Sequence, residues 1–154
     1  MMLEVGSRVY QTVVDINAST AVVWKILHDV TEWPSWTPTV TSVRPRGGTR
    51  LDDGAMFDVK QPGVPTATYV VKSCIEGESF LWEARAVGLR NSADHSLEKL
   101  GTGGCRLTLT FTMEGRGAAV AWMFNGRKIR EFVDLEARSL KFAAESGASR
   151  WDSQ

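Results

Sequence analysis

Between residues 39 and 114 the chain alternates short runs rich in β-branched and aromatic residues with breaks carrying glycine or proline. The breaks fall at Gly47-Gly48, Asp52-Asp53-Gly54, Pro62-Gly63, Glu76-Gly77-Glu78, Gly88 and the 101–104 stretch. They delimit predicted strands at 39–45, 55–61, 66–75, 79–87, 91–100 and 104–114. Within these runs Phe57, Val59, Tyr69, Val71, Phe80, Trp82, His95, Leu97, Leu107, Leu109, Phe111 and Met113 share one parity. Asp58, Lys60, Lys72, Glu83, Arg85, Asp94, Glu98, Arg106, Thr108, Thr110 and Thr112 share the other. A period-2 split of that kind belongs to an antiparallel sheet with one wet face. The apolar face must be covered, and the rest of the chain has to supply the cover.

It supplies one long element. With Val120 as origin and about 100° per residue, Trp122, Ile129, Phe132, Val133, Leu140, Ala143 and Ala144 gather on one side of a helix spanning 117–146. Arg127, Arg130, Glu131, Asp134, Arg138, Lys141 and Glu145 gather on the side expected to face solvent. Asn125 and Glu136 break the rule, because both project into the apolar arc. A bare carboxylate buried there costs several kcal/mol, so Glu136 must be neutral, paired or turned to a wet cavity. Its partner could be an arginine from the sheet. The mid-helix Gly126 costs about 1 kcal/mol relative to alanine and signals a kink or a close approach.

Before the hairpins, residues 8–16 read as a first strand, making seven in all. Ser19 is the expected N-cap of a helix carrying Val22, Val23, Ile26, Leu27 and Val30, with Trp24 on its flank. That helix must stop before Pro34. A short turn or one-turn helix then displays Trp33 and Trp36 beside Pro34 and Pro38. The class is α+β, with helices on one face of a curved antiparallel sheet. The length of 154 residues fits one domain, 1–154, with an ordered core at about 8–146 and a frayed tail from residue 148.

Lys plus Arg and Asp plus Glu both number 18, so no electrostatic footprint for nucleic acid is expected. The small cluster Arg44, Arg46, Arg50 reads as a solvated hairpin end. No apolar run preceded by basic residues opens the chain, and none approaches a membrane span, so neither a signal peptide nor membrane insertion is expected. Cys74 and Cys105 lack the spacing of a metal or redox motif. The expectation is a cytoplasmic protein with reduced thiols, monomer or homodimer, without metal or cofactor.

Few residues are candidates for chemistry. His95 has inward parity and reads either as a satisfied core histidine or as a pocket acid/base. Glu136 is the second acid/base candidate. His28 at a helix end reads as a complement to the helix dipole. Trp33 and Trp36 either clamp the sheet rim or form a mobile lip. Phe57, Tyr69 and Trp82 form an aromatic wall of the kind that lines hydrophobic small-molecule sites. The expected ligand-binding set is therefore Trp33, Trp36, Phe57, Tyr69, Trp82, His95, Asn125, Phe132 and Glu136. The catalytic residues stay open between His95 and Glu136. No P-loop, GxSxG or HExxH motif is present.

The runs Ile16-Asn17-Ala18-Ser19, Val23-Trp24-Lys25-Ile26-Leu27-His28-Asp29 and Trp33-Pro34-Ser35-Trp36-Thr37-Pro38 resemble the opening of the START-related (SRPBCC) superfamily. The polyketide cyclase/dehydrase-like branch is the nearest match. The 69–82 segment, Gly103-Gly104-Cys105-Arg106-Leu107 and the ending Leu140-Lys141-Phe142-Ala143-Ala144-Glu145 fit as well. The resemblance implies a helix-grip fold, in which a seven-stranded antiparallel sheet curls around a long C-terminal helix, with two short helices after the first strand. It also implies a deep cavity for a hydrophobic or aromatic small molecule, lipid- or polyketide-like. Some family members are aromatases or cyclases, so an enzyme of the cyclase, aromatase or dehydratase type is the alternative to a binding protein.

Overall fold

The computed structural model describes residues 7–152, with side chains as far as residue 147. Seven strands run β1 (Arg8–Ile16), β2 (Ser42–Pro45), β3 (Met56–Lys60), β4 (Ala67–Ile75), β5 (Ser79–Ala86), β6 (Leu89–Lys99) and β7 (Cys105–Glu114). The helices are α1 (Thr20–His28) and α2 (Ala118–Asp152), and a 3-10 turn, Val30–Ser35, follows α1. The strands form one sheet in the order β1-β7-β6-β5-β4-β3-β2. Every neighbouring pair is antiparallel. Strands β2 to β7 form a meander, and β1 pairs with β7 at the far edge. This is the helix-grip arrangement. No helix among the described residues is long and apolar enough to cross a membrane.

The inward row sits where its parity put it. Phe57, Val59, Tyr69, Val71, Phe80, Trp82, His95, Leu97, Leu107, Leu109 and Met113 are all buried. An irregularity between Val71 and Ser73 shifts the β4 register, so that Cys74 pairs directly with inward-facing Phe80. Ser19 caps α1, its hydroxyl accepting from the Val22 amide at 3.2 Å, and α1 buries Val23, Trp24 and Leu27. His28 lies in the last turn of α1, with its ring 6.2 Å from that of Trp24. Arg46 and Arg50 pair with Asp58 and Asp52, at 3.0 and 3.3 Å, as suits a solvated hairpin end. Both cysteines are free thiols.

Several boundaries differ from expectation. Residues 39–41 precede β2, because the buried Thr39 hydroxyl lies 2.8 Å from that of Thr37 and holds the chain in a turn. Strand β6 begins at Leu89 rather than 91. Helix α2 runs past Ser146 to Asp152, so the stretch expected to fray is helical backbone as far as that residue. Residues 1–6, where a leader was looked for, and 153–154 lie outside the described residues.

The polar side of α2 required the largest correction. Asp134 accepts a hydrogen bond from the Tyr10 hydroxyl at 2.9 Å, the Lys141 ammonium donates to the Asp15 carbonyl at 2.7 Å, and Glu145 accepts from the Asn17 amide at 2.8 Å. The supposed solvent side thus grips β1, which curls up beside the helix as the sheet's edge strand. Ala137, Leu140 and Ala144 are fully buried. Ile129, Phe132 and Val133 are only half-buried, because the space before them is a cavity. Val120, on the expected apolar arc, is 58% exposed.

Candidate functional site

The cavity measures about 650 Å³ and lies between α2 and the concave face of the sheet. Its floor is buried: Trp33, Tyr69, Trp82 and His95 are at most 8% exposed. Its rim is the β3–β4 turn with Gly63, Pro65 and Thr66, the end of β5 at Ala86, and Asn125 on α2, all of which are exposed. The cavity therefore opens between these two turns and the first half of the helix.

Each floor residue has a local cause. Trp33 is carried inward by the 3-10 turn and fixed by its indole N–H, which donates to the Leu27 carbonyl at 2.9 Å. Tyr69 and Trp82 stand on adjacent strands with ring centroids 4.9 Å apart. His95 pairs across the sheet with Phe80, and the two rings stack at 4.1 Å and 8°. The edges of Trp33 and Trp82 close on the imidazole at 5.5 and 5.9 Å. His95 Nδ1 lies 3.4 Å from the Phe80 carbonyl, and Nε2 lies 3.4 Å from Glu136 Oε2. A doubly protonated ring can donate in both directions, whereas a neutral ring leaves one nitrogen open.

The partner of Glu136 is thus a histidine rather than an arginine. Its side chain is 15% exposed, because it faces the cavity. Burial, and then the nearby Glu136 charge, push the Tyr69 hydroxyl up to about 12. The floor consequently presents a carboxylate, an imidazole and a protonated phenol within an aromatic basin. Such a group can hold a ligand hydroxyl or carbonyl, or exchange a proton with it. Among the described residues no cluster of three or more His, Cys, Asp or Glu side chains could hold a metal ion.

Of the nine expected binding residues, the structure gathers seven around the cavity: Trp33, Tyr69, Trp82, His95, Asn125, Phe132 and Glu136. Asn125 is exposed at the mouth, its amide donating to the Ala121 carbonyl at 3.0 Å. Phe57 is fully buried and packs 6.2 Å from Trp82, without reaching the wall. Trp36 packs 5.4 Å from Trp33, also off the wall, and its indole nitrogen is buried without a partner among the described residues.

Asn91 and Lys128 are among the lining residues that the sequence did not single out. Asn91 shares the parity of Ala93 and His95, so strand alternation alone could have found it. Its side-chain oxygen is buried with no hydrogen-bond partner among the described residues. Lys128 lies about 40° from Phe132 around the helix axis, close enough for its long side chain to reach the cavity mouth.

Residues 8–145 match the family model for polyketide cyclase/dehydrase and lipid transport proteins. No match was found among curated proteins. Solved structures are similar at low identity. Ara h 8.0201 aligns with a TM-score of 0.74 and 14% identity, covering 92% of this chain and 99% of that one. The di-domain ARO/CYC StfQ from the steffimycin biosynthetic pathway aligns at 0.75 and 14%, covering 94% of this chain and 52% of that one, so the chain spans about half of it. Hypothetical protein jhp0584 from Helicobacter pylori aligns at 0.74 and 15%, covering 90% and 87%. With 298 solved chains matching, the fold is too widely used to name a ligand by itself. The match along 8–145, together with the helix-grip sheet and its cavity, shows that the chain belongs to the polyketide cyclase/dehydrase and lipid transport family, within the START-related SRPBCC superfamily.

Proposed function

We propose that the protein binds a hydrophobic or aromatic small molecule in the cavity between the sheet and α2. The observation that carries this is a space of about 650 Å³, within the usual range for small-molecule sites, walled largely by aromatic rings and with the His95–Glu136 pair on its floor. Trp33, Tyr69, Trp82 and Phe132 supply the apolar contact. His95 and Glu136 orient the ligand through a hydroxyl or carbonyl group. Phe57 and Trp36 act from behind this wall by packing, and Asn125 guards the mouth.

The test is native mass spectrometry of freshly purified protein, with extraction of any bound molecule, beside a titration with the neutral fluorophore N-phenyl-1-naphthylamine. Saturable, blue-shifted fluorescence with one site per chain is expected. Failure of the fluorophore to bind, with nothing extracted, would remove the proposal.

The approach of His95 Nε2 to Glu136 Oε2 at 3.4 Å favours a second reading, an enzyme of the cyclase, aromatase or dehydratase type. In that reading Glu136 moves the proton and His95 holds the carboxylate in place. Glu136→Gln then abolishes turnover of a polyketide-like substrate while keeping affinity, since the amide preserves shape but cannot exchange the proton. Equal loss of affinity and turnover would return the pair to a binding role.

A further inference from the structure

Lys128, Phe132 and Glu136 follow one another at single-turn intervals on α2, and all three meet the cavity. Lys128 lies at the mouth. Its ammonium is 5.5 Å from the centroid of the Phe132 ring, and it is pressed so closely on Gly63 of the β3–β4 turn that a Cβ there would collide with it. Gly63 holds φ +75, a backbone state that further disfavours a side chain. The adjacent Arg127 is neutralised by Glu131 at 3.3 Å. The Lys128 ammonium has no carboxylate partner among the described residues. It is a half-buried cation at the mouth of the cavity.

The inner end of the cavity has the opposite sign, through Glu136. Eight residues of helix separate the two charges, a rise of about 12 Å. An anionic ligand group placed inside would meet the Glu136 carboxylate, whereas the same group at the mouth would meet an unpaired ammonium. The Asn91 side chain also lines the cavity, and its oxygen is buried without a hydrogen-bond partner among the described residues.

We infer that the cavity selects an amphiphilic organic acid. Its hydrophobic or fused-ring body spans roughly 12 Å, its anionic group is held by Lys128 at the mouth, and a hydroxyl or keto group faces His95 and Glu136. Lys128 is the specificity-determining residue, and Gly63 is the space that lets its ammonium reach over the opening. This rests on the cavity-binding reading and adds charge, length and direction to it.

Two probes that differ by one charged group test it: 8-anilinonaphthalene-1-sulfonate and uncharged N-phenyl-1-naphthylamine. Lys128→Met should weaken the sulfonate by about tenfold or more, as expected for loss of a charge-assisted contact, and leave the neutral probe within about twofold. Lys128→Arg should restore sulfonate affinity. Glu136→Gln should change the affinities of the two probes by the same factor, because the anion sits at the other end. If Lys128→Met weakens both probes equally or neither, the inference falls while cavity binding stands. If Glu136→Gln strongly tightens the sulfonate, the anion lies inside and the direction is wrong. If the neutral probe does not bind the native protein at all, the cavity reading and this inference fall together.

Discussion

His95 is 2% exposed and Glu136 faces it at 3.4 Å, yet neither is held by the arginine that a buried structural carboxylate usually requires. Both groups also border the cavity, so removing one leaves the other next to space that water can enter rather than sealed in hydrocarbon. Glu136→Leu should therefore fold normally, with a melting temperature within about 3 °C of the native protein, and lose affinity for ligands carrying an inner hydroxyl. Thermal unfolding by circular dichroism checks the first part; a collapse of the fold would make the pair a structural one. Trp36 calls for the reverse experiment. Its indole nitrogen is buried without a partner among the described residues, and a buried donor left unpaired carries a desolvation cost. Trp36→Phe should keep stability within about 1 kcal/mol and leave N-phenyl-1-naphthylamine affinity unchanged, because the ring supports Trp33 from behind. A selective loss of probe binding would put Trp36 at the lip after all.

At the scale of elements, the turn between β7 and α2 decides where the long helix starts. Gly115 adopts φ +117, and a Cβ there would strike the Gly88 carbonyl. That same carbonyl accepts the Gly117 amide at 3.1 Å. Gly115→Ala therefore combines a forbidden backbone state with a clash against main chain, and should destabilise by well over 1 kcal/mol, read as a lower denaturation midpoint. An unchanged midpoint would mean that this turn can relax. Strand faces, the seven-strand count and the long helix were all legible, because period-2 and period-3.6 patterns record which side of an element is dry. Less legible was what each face meets. Asp134, Lys141 and Glu145 read as solvated because charge marks the non-core side of a helix, and nothing local reveals that an edge strand will rise to meet it. Gly126 was noticed as a close approach, and the group that approaches is local: a Cβ there would come within 3.0 Å of the indole of Trp122, one turn earlier on α2. The floor of the site was readable from parity. Its mouth was readable only at Asn125, because Lys128 reaches it along a flexible side chain and Gly63 matters only through the space it leaves.

For the molecule as a whole, pH separates surface electrostatics from the site. On the acid side, Asp15 and Asp58 are held below the ordinary carboxylate range, Asp15 chiefly by hydrogen bonds from Arg106 and Asp58 by Thr68 and then Arg46. Glu145 is lowered by Lys141 and the Asn17 amide. Depressed carboxyls contribute stability that is present above their unfolded values and fades as pH falls through the folded ones, but these groups are exposed or half-exposed and each effect is small. The alkaline side bears on the cavity. Tyr69 is buried on its floor and rises from 10.0 to about 12, first by burial and then by the Glu136 charge. A raised folded value means that the unfolded phenol ionises first. The contribution of Tyr69 is therefore complete below pH 10 and is lost between pH 10 and about 12, amounting to roughly 2–3 kcal/mol at most. Tyr10 shifts the same way through its hydrogen bond to Asp134, but near the surface. Tyr69→Phe keeps the ring against Trp82 and removes the proton, so denaturation midpoints should match the native protein at pH 8 and fall less steeply between pH 10 and 12. Ligand bound in the cavity should steepen the native decline, since a phenol covered by ligand is still harder to ionise than one facing an empty cavity. If Tyr69→Phe and the native protein decline in parallel across that interval, the phenol is solvated and the floor of the cavity is wetter than its aromatic walls imply.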